Sequence, residues 1–245
     1  MTATFLHHES CPNCGSKDNL ARYSDGSAWC FGCKYQERGS RTIHDVKRSY
    51  KKLGKSYLTL PDNLSEVTSG EAYKWLKKYG ITDEEIEKYG ILQQICGGIY
   101  DNPTCRLYFT TAVGYQVRDF PQGKPKYRTQ GRVLEMSLSY LPETIVGNSI
   151  VFVEDVVSCI KVSRYCTCVP LFGSNMPLEL LKSAPESIKY FFLWLDPDKR
   201  RESILQCFAA NQAGYSTRPI FSDVDPKDLS DTKMIEILTI HRVLT

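Results

Sequence analysis

The feature that most constrains this chain is a cysteine pattern near its start: Cys11-x2-Cys14, fifteen residues, then Cys30-x2-Cys33. Each pair puts two thiolates on one tight turn, and two such turns close a tetrahedron around a soft d¹⁰ ion such as zinc. Gly15 and Gly32 permit the backbone turns that such knuckles use. Between the pairs, Tyr23, Trp29 and the turn Ser24–Gly26 predict a short antiparallel ribbon. A ribbon of roughly 30 residues cannot fold on core burial alone, so bound zinc supplies the missing free energy. Four cysteines leave no open coordination position, which makes the ion structural. His7 and His8 are either extra ligands or part of a frayed terminus.

Composition excludes several alternatives. With 42% hydrophobic and 24% charged residues, the 245-residue chain is neither disordered nor fibrous. Its longest apolar run, Tyr190–Leu195, has strand length and falls far short of the ~20 residues of a membrane span. The N-terminus lacks the apolar stretch of a signal peptide, so the expected location is the cytoplasm. The remaining six of ten cysteines are scattered through apolar sequence and read as reduced thiols.

The net charge of +3 hides an asymmetry. Residues 34–57 hold eight basic residues against two acidic ones, with Lys47, Arg48, Lys51, Lys52 and Lys55 at the centre. Such a belt fits a polyanion partner or a self-repelling linker. Gly54-Lys55-Ser56 is not a nucleotide-binding loop, because Ser49 stands where the first glycine is required.

Two short helices are expected next, with capping-box spacing at Thr68/Glu71 and Thr82/Glu85 and with Gly80 and Gly90 at their ends. Strands follow near Leu107–Thr110 and Tyr115–Arg118, in a stretch made basic by Arg106, Arg118, Lys124, Lys126, Arg128 and Arg132. From about residue 149, short apolar strands alternate with helical segments near 156–165, 177–184, 199–213 and 231–243. That alternation predicts a small α/β domain with a mostly parallel sheet.

Three of these strands end in acid: Glu154, then Asp196-x-Asp198, then Asp228 with Asp223 and Asp225 upstream. Sites in open α/β sheets form at the carboxyl ends of strands, so these acids are expected at one edge. Carboxylates in such a set suit Mg²⁺ bridging to substrate phosphates. Asp196 before Pro197, or Asp231 before the last helix, also reads as a helix N-cap.

This order of cysteine ribbon, basic segment and acid-tipped α/β domain resembles the primase half of phage bifunctional primase–helicases and, more distantly, bacterial replicative primases. The resemblance spans nearly the whole chain. It implies a zinc ribbon at 1–36, a basic linker at 37–62, a basic α+β subdomain at 63–147 and a Toprim domain at 148–245, the last two forming an RNA polymerase domain. The segment Trp75–Ile91 resembles the helical entry to that domain. Gly114–Asp119 and Lys124-Pro125-Lys126-Tyr127 resemble its basic part.

The resemblance implies template-directed synthesis of short RNA primers on single-stranded DNA from ribonucleoside triphosphates. Glu154, Asp196 and Asp198 match catalytic acids and, with Asp228, ligands of Mg²⁺ or Mn²⁺. Arg106, Arg118 and Lys126 match the channel that grips nucleotide and template, and Lys124 and Arg128 flank it. Tyr23 and Trp29 could read unstacked template bases, or Trp29 could belong to the ribbon's core. The chain carries no Walker loop, so either a separate replicative helicase is the partner or the sequence is part of a longer protein that carries one.

The sequence departs from the family at three positions. Ser158 replaces an acid, Asp155 replaces the glycine after the glutamate, and Gln116 replaces a basic residue. A non-catalytic zinc/Toprim clamp of the recombination-mediator type also fits the missing acid. It does not fit the ribbon's leading position or the basic subdomain. A Toprim nuclease would need no ribbon at all.

Overall fold

The computed structural model describes residues 5–24, 26–37, 60–96, 104–142, 145 and 147–244. The basic belt, including Lys47, Arg48, Lys51 and Lys52, lies outside the described residues.

The N-terminal ribbon is an antiparallel sheet of β1 (Phe5–Glu9), β2 (Leu20–Tyr23), β3 (Ala28–Cys30) and β4 (Gln36–Glu37), in that order. Its core is small: Cys11, Leu20, Ala28 and Cys30, with Cys33 and Tyr35 packed against them. Trp29 is only half-buried and stands outside that cluster. Arg22 bridges Glu9 on β1 and Glu37 on β4, tying the two outer strands together.

A second antiparallel sheet follows, with β5 (Leu64–Glu66), β6 (Ile91–Ile95), β7 (Cys105–Thr110), β8 (Gly114–Phe120) and β9 (Arg128–Gly131) side by side in sequence order. Helices α1 (Gly70–Lys78) and α2 (Asp83–Lys88) connect β5 to β6. The Thr82/Glu85 capping box forms, each residue's backbone N–H donating to the other's side chain at 3.2 and 2.9 Å. The Thr68/Glu71 box does not. Ser69 is the N-cap of α1, which puts Glu71 one residue short of the reciprocal position. Tyr79 and Tyr89 cap the two C-termini, and the expected Gly80 and Gly90 follow in left-handed backbone.

The C-terminal sheet is wholly parallel, ordered β11 (Cys168–Pro170), β10 (Ser149–Val153), β12 (Tyr190–Trp194), β13 (Thr217–Pro219). Alternate residues face opposite sides. Ile150, Phe152, Phe191 and Leu193 pack with Leu180 and Leu181 of α5 (Leu178–Lys182) and Ala210 of α6 (Arg200–Gln212). Val151, Val153, Phe192 and Trp194 pack with Met234, Ile237 and Leu238 of α7 (Asp231–Ile240). Each such fully buried side chain contributes about 1.5–3 kcal/mol of transfer free energy.

Helix α4 (Val156–Val162) joins the two sheets and is buried at all seven positions. Val156, Val157 and Ile160 meet the antiparallel sheet's core, while Cys159 and Val162 meet the parallel sheet. A helix with cores on two sides has no solvent face, which explains why the buried Lys161 must find internal acceptors. Another helix, α3 (Val133–Ser139), was not foreshadowed by the sequence. It packs Met136 under the antiparallel sheet and Leu138 against the parallel one.

Candidate active site and metal centres

The two knuckles of the ribbon are related turns. Gly15 takes a left-handed backbone (φ +68) four residues after Cys11, and its N–H donates to the Cys11 carbonyl at 2.9 Å. In the second knuckle the matching place, four residues after Cys30, is held by Lys34 at φ 61 with the same 2.9 Å bond. Gly32 has another reason: a side chain there would meet the Asn19 amide at 3.1 Å.

The four cysteine Sγ atoms lie within 4.8 Å of one another. Cys11–Cys33 are 3.6 Å apart and Cys14–Cys30 3.7 Å. A zinc–sulfur bond of about 2.3 Å puts the edges of a tetrahedron near 3.8 Å, so the thiols fit zinc. His7 and His8 lie in β1, exposed, and are not part of this cluster. His8 instead belongs to a row of rings, with Phe5 at 4.9 Å and Phe31 at 6.2 Å, and Tyr23 stands 6.3 Å beyond Phe5. Phe5 and Phe31 are exposed.

The acids assemble at the carboxyl edge of the parallel sheet. Glu154 and Asp155 follow β10, Asp196 follows β12 by one residue, and Asp225 opens the turn Pro226–Asp228 after β13. Asp155 caps α4, one oxygen accepting from Ser158 N–H at 2.8 Å. Its other oxygen meets Lys227 Nζ at 2.9 Å, and the same ammonium reaches Asp225 at 2.6 Å and Asp196 at 4.0 Å. The Lys227 side chain is 3% exposed. Burial works against its charge, but Asp155 and Asp225 prevail and raise its pKa.

Glu154 Oε2, Asp196 Oδ1 and Ser158 Oγ are buried without a hydrogen-bond partner. Burial pushes Glu154 up from the ordinary carboxylate range, with Asp155 and Asp198 adding to it. Asp196 is pushed up to about 7, first by burial, while Lys227 opposes the shift. Two inward carboxylate oxygens with no protein donor are hard-cation acceptors, so this edge fits a Mg²⁺ ligand set.

The outer acids stand apart. Asp198 is 73% exposed beside Lys199, and the Asp228 side chain is exposed. Asp225 joins the Lys227 cluster where the sequence pointed to Asp228. Among the described residues only the four cysteines gather three or more potential metal ligands within 4.8 Å. Asp196 makes no side-chain cap in the turn it opens, and the last helix is capped by Ser230, not Asp231.

The basic residues divide into two groups. Lys124, Lys126 and Arg128 are exposed on and beside β9, and Arg106 and Arg128 share Asp119 at 3.3 and 2.8 Å. Arg118 is buried. Its guanidinium lies 4.6 Å from the Trp75 ring and 5.4 Å from those of Phe120 and Tyr127. Gln122 accepts from one Arg118 nitrogen at 2.9 Å, while Nε and Nη1 are buried without partners. Tyr127 links this face to the acids, because its hydroxyl is raised by burial and then by Asp155, with Arg118 and Lys227 opposing. Gln116 packs inside, its amide donating to Thr129 at 3.3 Å.

Sequence reasoning did not point to Phe5 or Phe31, gave Lys227 no role, and named Asp155 only as a departure from the family and Asp225 only as an acid upstream of Asp228. The Lys227–Asp228 dipeptide drew attention to its acid, and nothing local marked its lysine as the buried member.

No family model matches the chain. The chain is 27% identical over 165 residues to the DNA helicase/primase of Enterobacteria phage T3, a match covering 67% of this chain and 29% of the phage protein. The chain thus spans under a third of that relative's length. Its fold matches the primase fragment of the bacteriophage T7 primase-helicase with TM-score 0.50 and 18% identity, over 97% of this chain and 99% of that one. The zinc-binding and RNA polymerase domains of Aquifex aeolicus primase match with TM-score 0.52 and 13% identity, over 98% and 80%. The catalytic domain of a DnaG primase bound to single-stranded DNA matches with TM-score 0.53 and 14% identity, over 81% and 78%. The expected zinc ribbon joined to an RNA polymerase domain of α/β class is the fold of this chain. No helix among the described residues is long and apolar enough to cross a membrane.

Proposed function

We propose that the chain is a DNA primase, a nucleotidyltransferase making short RNA primers on single-stranded DNA. The observation that carries this reading is the pair of unpartnered buried oxygens on Glu154 and Asp196, facing a metal-type site beside the basic residues around Tyr127. Phosphoryl transfer asks the protein mainly to position and neutralise, and both charge signs are available here. Glu154 and Asp196 would hold Mg²⁺, which when bound would offset the charge of the triphosphate. Asp198 and Asp228, both exposed, would be available to a metal carried in with the nucleotide. Lys124, Lys126, Arg106 and Arg128 grip triphosphate and template phosphates. Arg118, buried against Trp75, Phe120 and Tyr127, keeps that wall in place.

The zinc ribbon reads template bases. Its exposed row of Phe31, His8 and Phe5 offers π-faces to unstacked bases, a role first expected of Trp29. The basic belt adds sequence-independent affinity for the strand, and a replicative helicase, whether joined to the chain or separate from it, supplies that strand. Extension of labelled ribonucleotides on random single-stranded templates, with Mg²⁺ or Mn²⁺, tests the reading. Template binding without any extension across that set would favour a non-catalytic clamp.

A further inference from the structure

Lys227 sits where charge arithmetic makes it consequential. Four acids meet at the sheet edge: Glu154, Asp155, Asp196 and Asp225. Two are satisfied by the one ammonium, Asp155 at 2.9 Å and Asp225 at 2.6 Å. The other two keep the orphaned oxygens. This lysine is not a mobile surface charge. Its own carbonyl and that of Leu229 accept from the buried Lys161 Nζ at 2.9 and 2.6 Å, which pins the turn to α4. Asp155 is pinned too, since its second oxygen caps α4. The ammonium therefore occupies the space between β10 and the turn after β13 as a fixed internal cation. The acid that the resemblance expects at position 158 is a serine with no exposed surface, and the negative charge stands instead at Asp155, facing the ammonium.

We propose that Lys227 is a positioning residue that divides the carboxylates, pairing with Asp155 and Asp225 so that Glu154 and Asp196 alone bind one divalent cation in the nucleotide-free protein. This rests on reading the acid edge as a metal site, but it concerns how many ions that edge takes and not whether primers are made. A purely structural ion pair would stabilise the fold and leave the metal count alone. An internal cation sets that count, because a second divalent ion would need the carboxylates that the ammonium already holds.

The test is titration of Mn²⁺ into the zinc-loaded full chain without nucleotide, counting bound ions by electron paramagnetic resonance. The wild type should bind one. Asp155→Asn keeps the cap oxygen but releases the ammonium toward Asp196, only 4.0 Å away. It should still bind one ion, about tenfold more weakly. Lys227→Met should gain a second ion between Asp155 and Asp225, and Lys227→Arg should restore the count to one. Two tight ions in the wild type, or an unchanged affinity in Asp155→Asn, would overturn the proposal. If Lys227→Met does not fold, the wild-type count and the Asp155→Asn affinity decide. Absence of primer synthesis in a protein that passes these tests would sink the primase reading and leave the role of Lys227 standing.

Discussion

The cysteine cluster and the carboxylate edge are the two candidate metal sites, yet they are assembled in opposite ways. The cysteines come from two turns of a four-stranded ribbon, and their four sulfur atoms already lie within 4.8 Å. The acids come from three strand ends of a parallel sheet, and half of them are taken by a lysine from the same edge. Thiolates around zinc replace a hydrophobic core that the ribbon lacks. The carboxylates of the sheet edge sit on a core that is already complete, so their charges are free to be tuned. The first centre holds the fold together. The second is an imposition that the fold bears.

That contrast is broken most sharply by removing zinc. Structural zinc contributes about 10–16 kcal/mol to folding in small modules, so Cys11→Ser should unfold the ribbon. Elemental analysis should give one zinc per wild-type chain and none in the variant. The parallel-sheet domain has its own buried core on both faces and should keep its melting transition, although Gln36 of the ribbon donates to Tyr215 at 3.1 Å. A single transition lost for the whole chain would show that the two regions fold as one unit.

At the acid edge the effect should fall on rate and spare the fold. Asp196→Asn removes charge but keeps shape, and primer synthesis should drop by about 10²–10³-fold, the scale of other preorganised electrostatic groups. Glu154→Gln should behave alike. Binding of single-stranded DNA at fixed salt should change little in either variant, and normal synthesis by Asp196→Asn would move the metal site elsewhere.

Acidity sharpens the comparison further. Burial lifts Asp196 from its ordinary 3.8 to about 7, and Glu154 is lifted as well. Between those limits the folded, Mg²⁺-free protein holds more protons than the unfolded chain. The stability contributed by these two acids should therefore fall as pH rises from 4 toward 7, since that rise removes protons that the native state binds and the unfolded chain does not. Saturating Mn²⁺, which favours the ionised carboxylates, should flatten this slope. Thermal melts of metal-free protein that rise steadily with pH across that window would show these acids to be ionised throughout.

The smallest effect concerns the belt between the two regions. Lys51→Ala/Lys52→Ala should flatten the dependence of log affinity on log salt by about 1.4 for single-stranded DNA. An unchanged slope would make the belt a spacer.

Local chemistry was legible in the sequence because it depends on spacing. Two Cys-x-x-Cys turns define a tetrahedral ligand set within one ribbon, so Cys11, Cys14, Cys30 and Cys33 could be named without knowing the fold. The alternation of apolar strands and helices after residue 149 likewise fixed a parallel α/β domain, and the Thr82/Glu85 cap needed only three residues to be right. The tertiary structure alone decided what lies far apart in the chain. It chose Asp225 over Asp228 as partner of the buried ammonium and turned Arg118 inward against Trp75. It also exposed Phe31 while leaving Trp29 half-buried. In each case the deciding quantity is which neighbour removes water from a side chain. That neighbour comes from another strand or helix, 43 residues away for Trp75 and Arg118 and 72 for Asp155 and Lys227. Sequence spacing specifies contacts along a turn, a strand or a helix; desolvation is set by the packing of elements, and only the assembled sheets determine it.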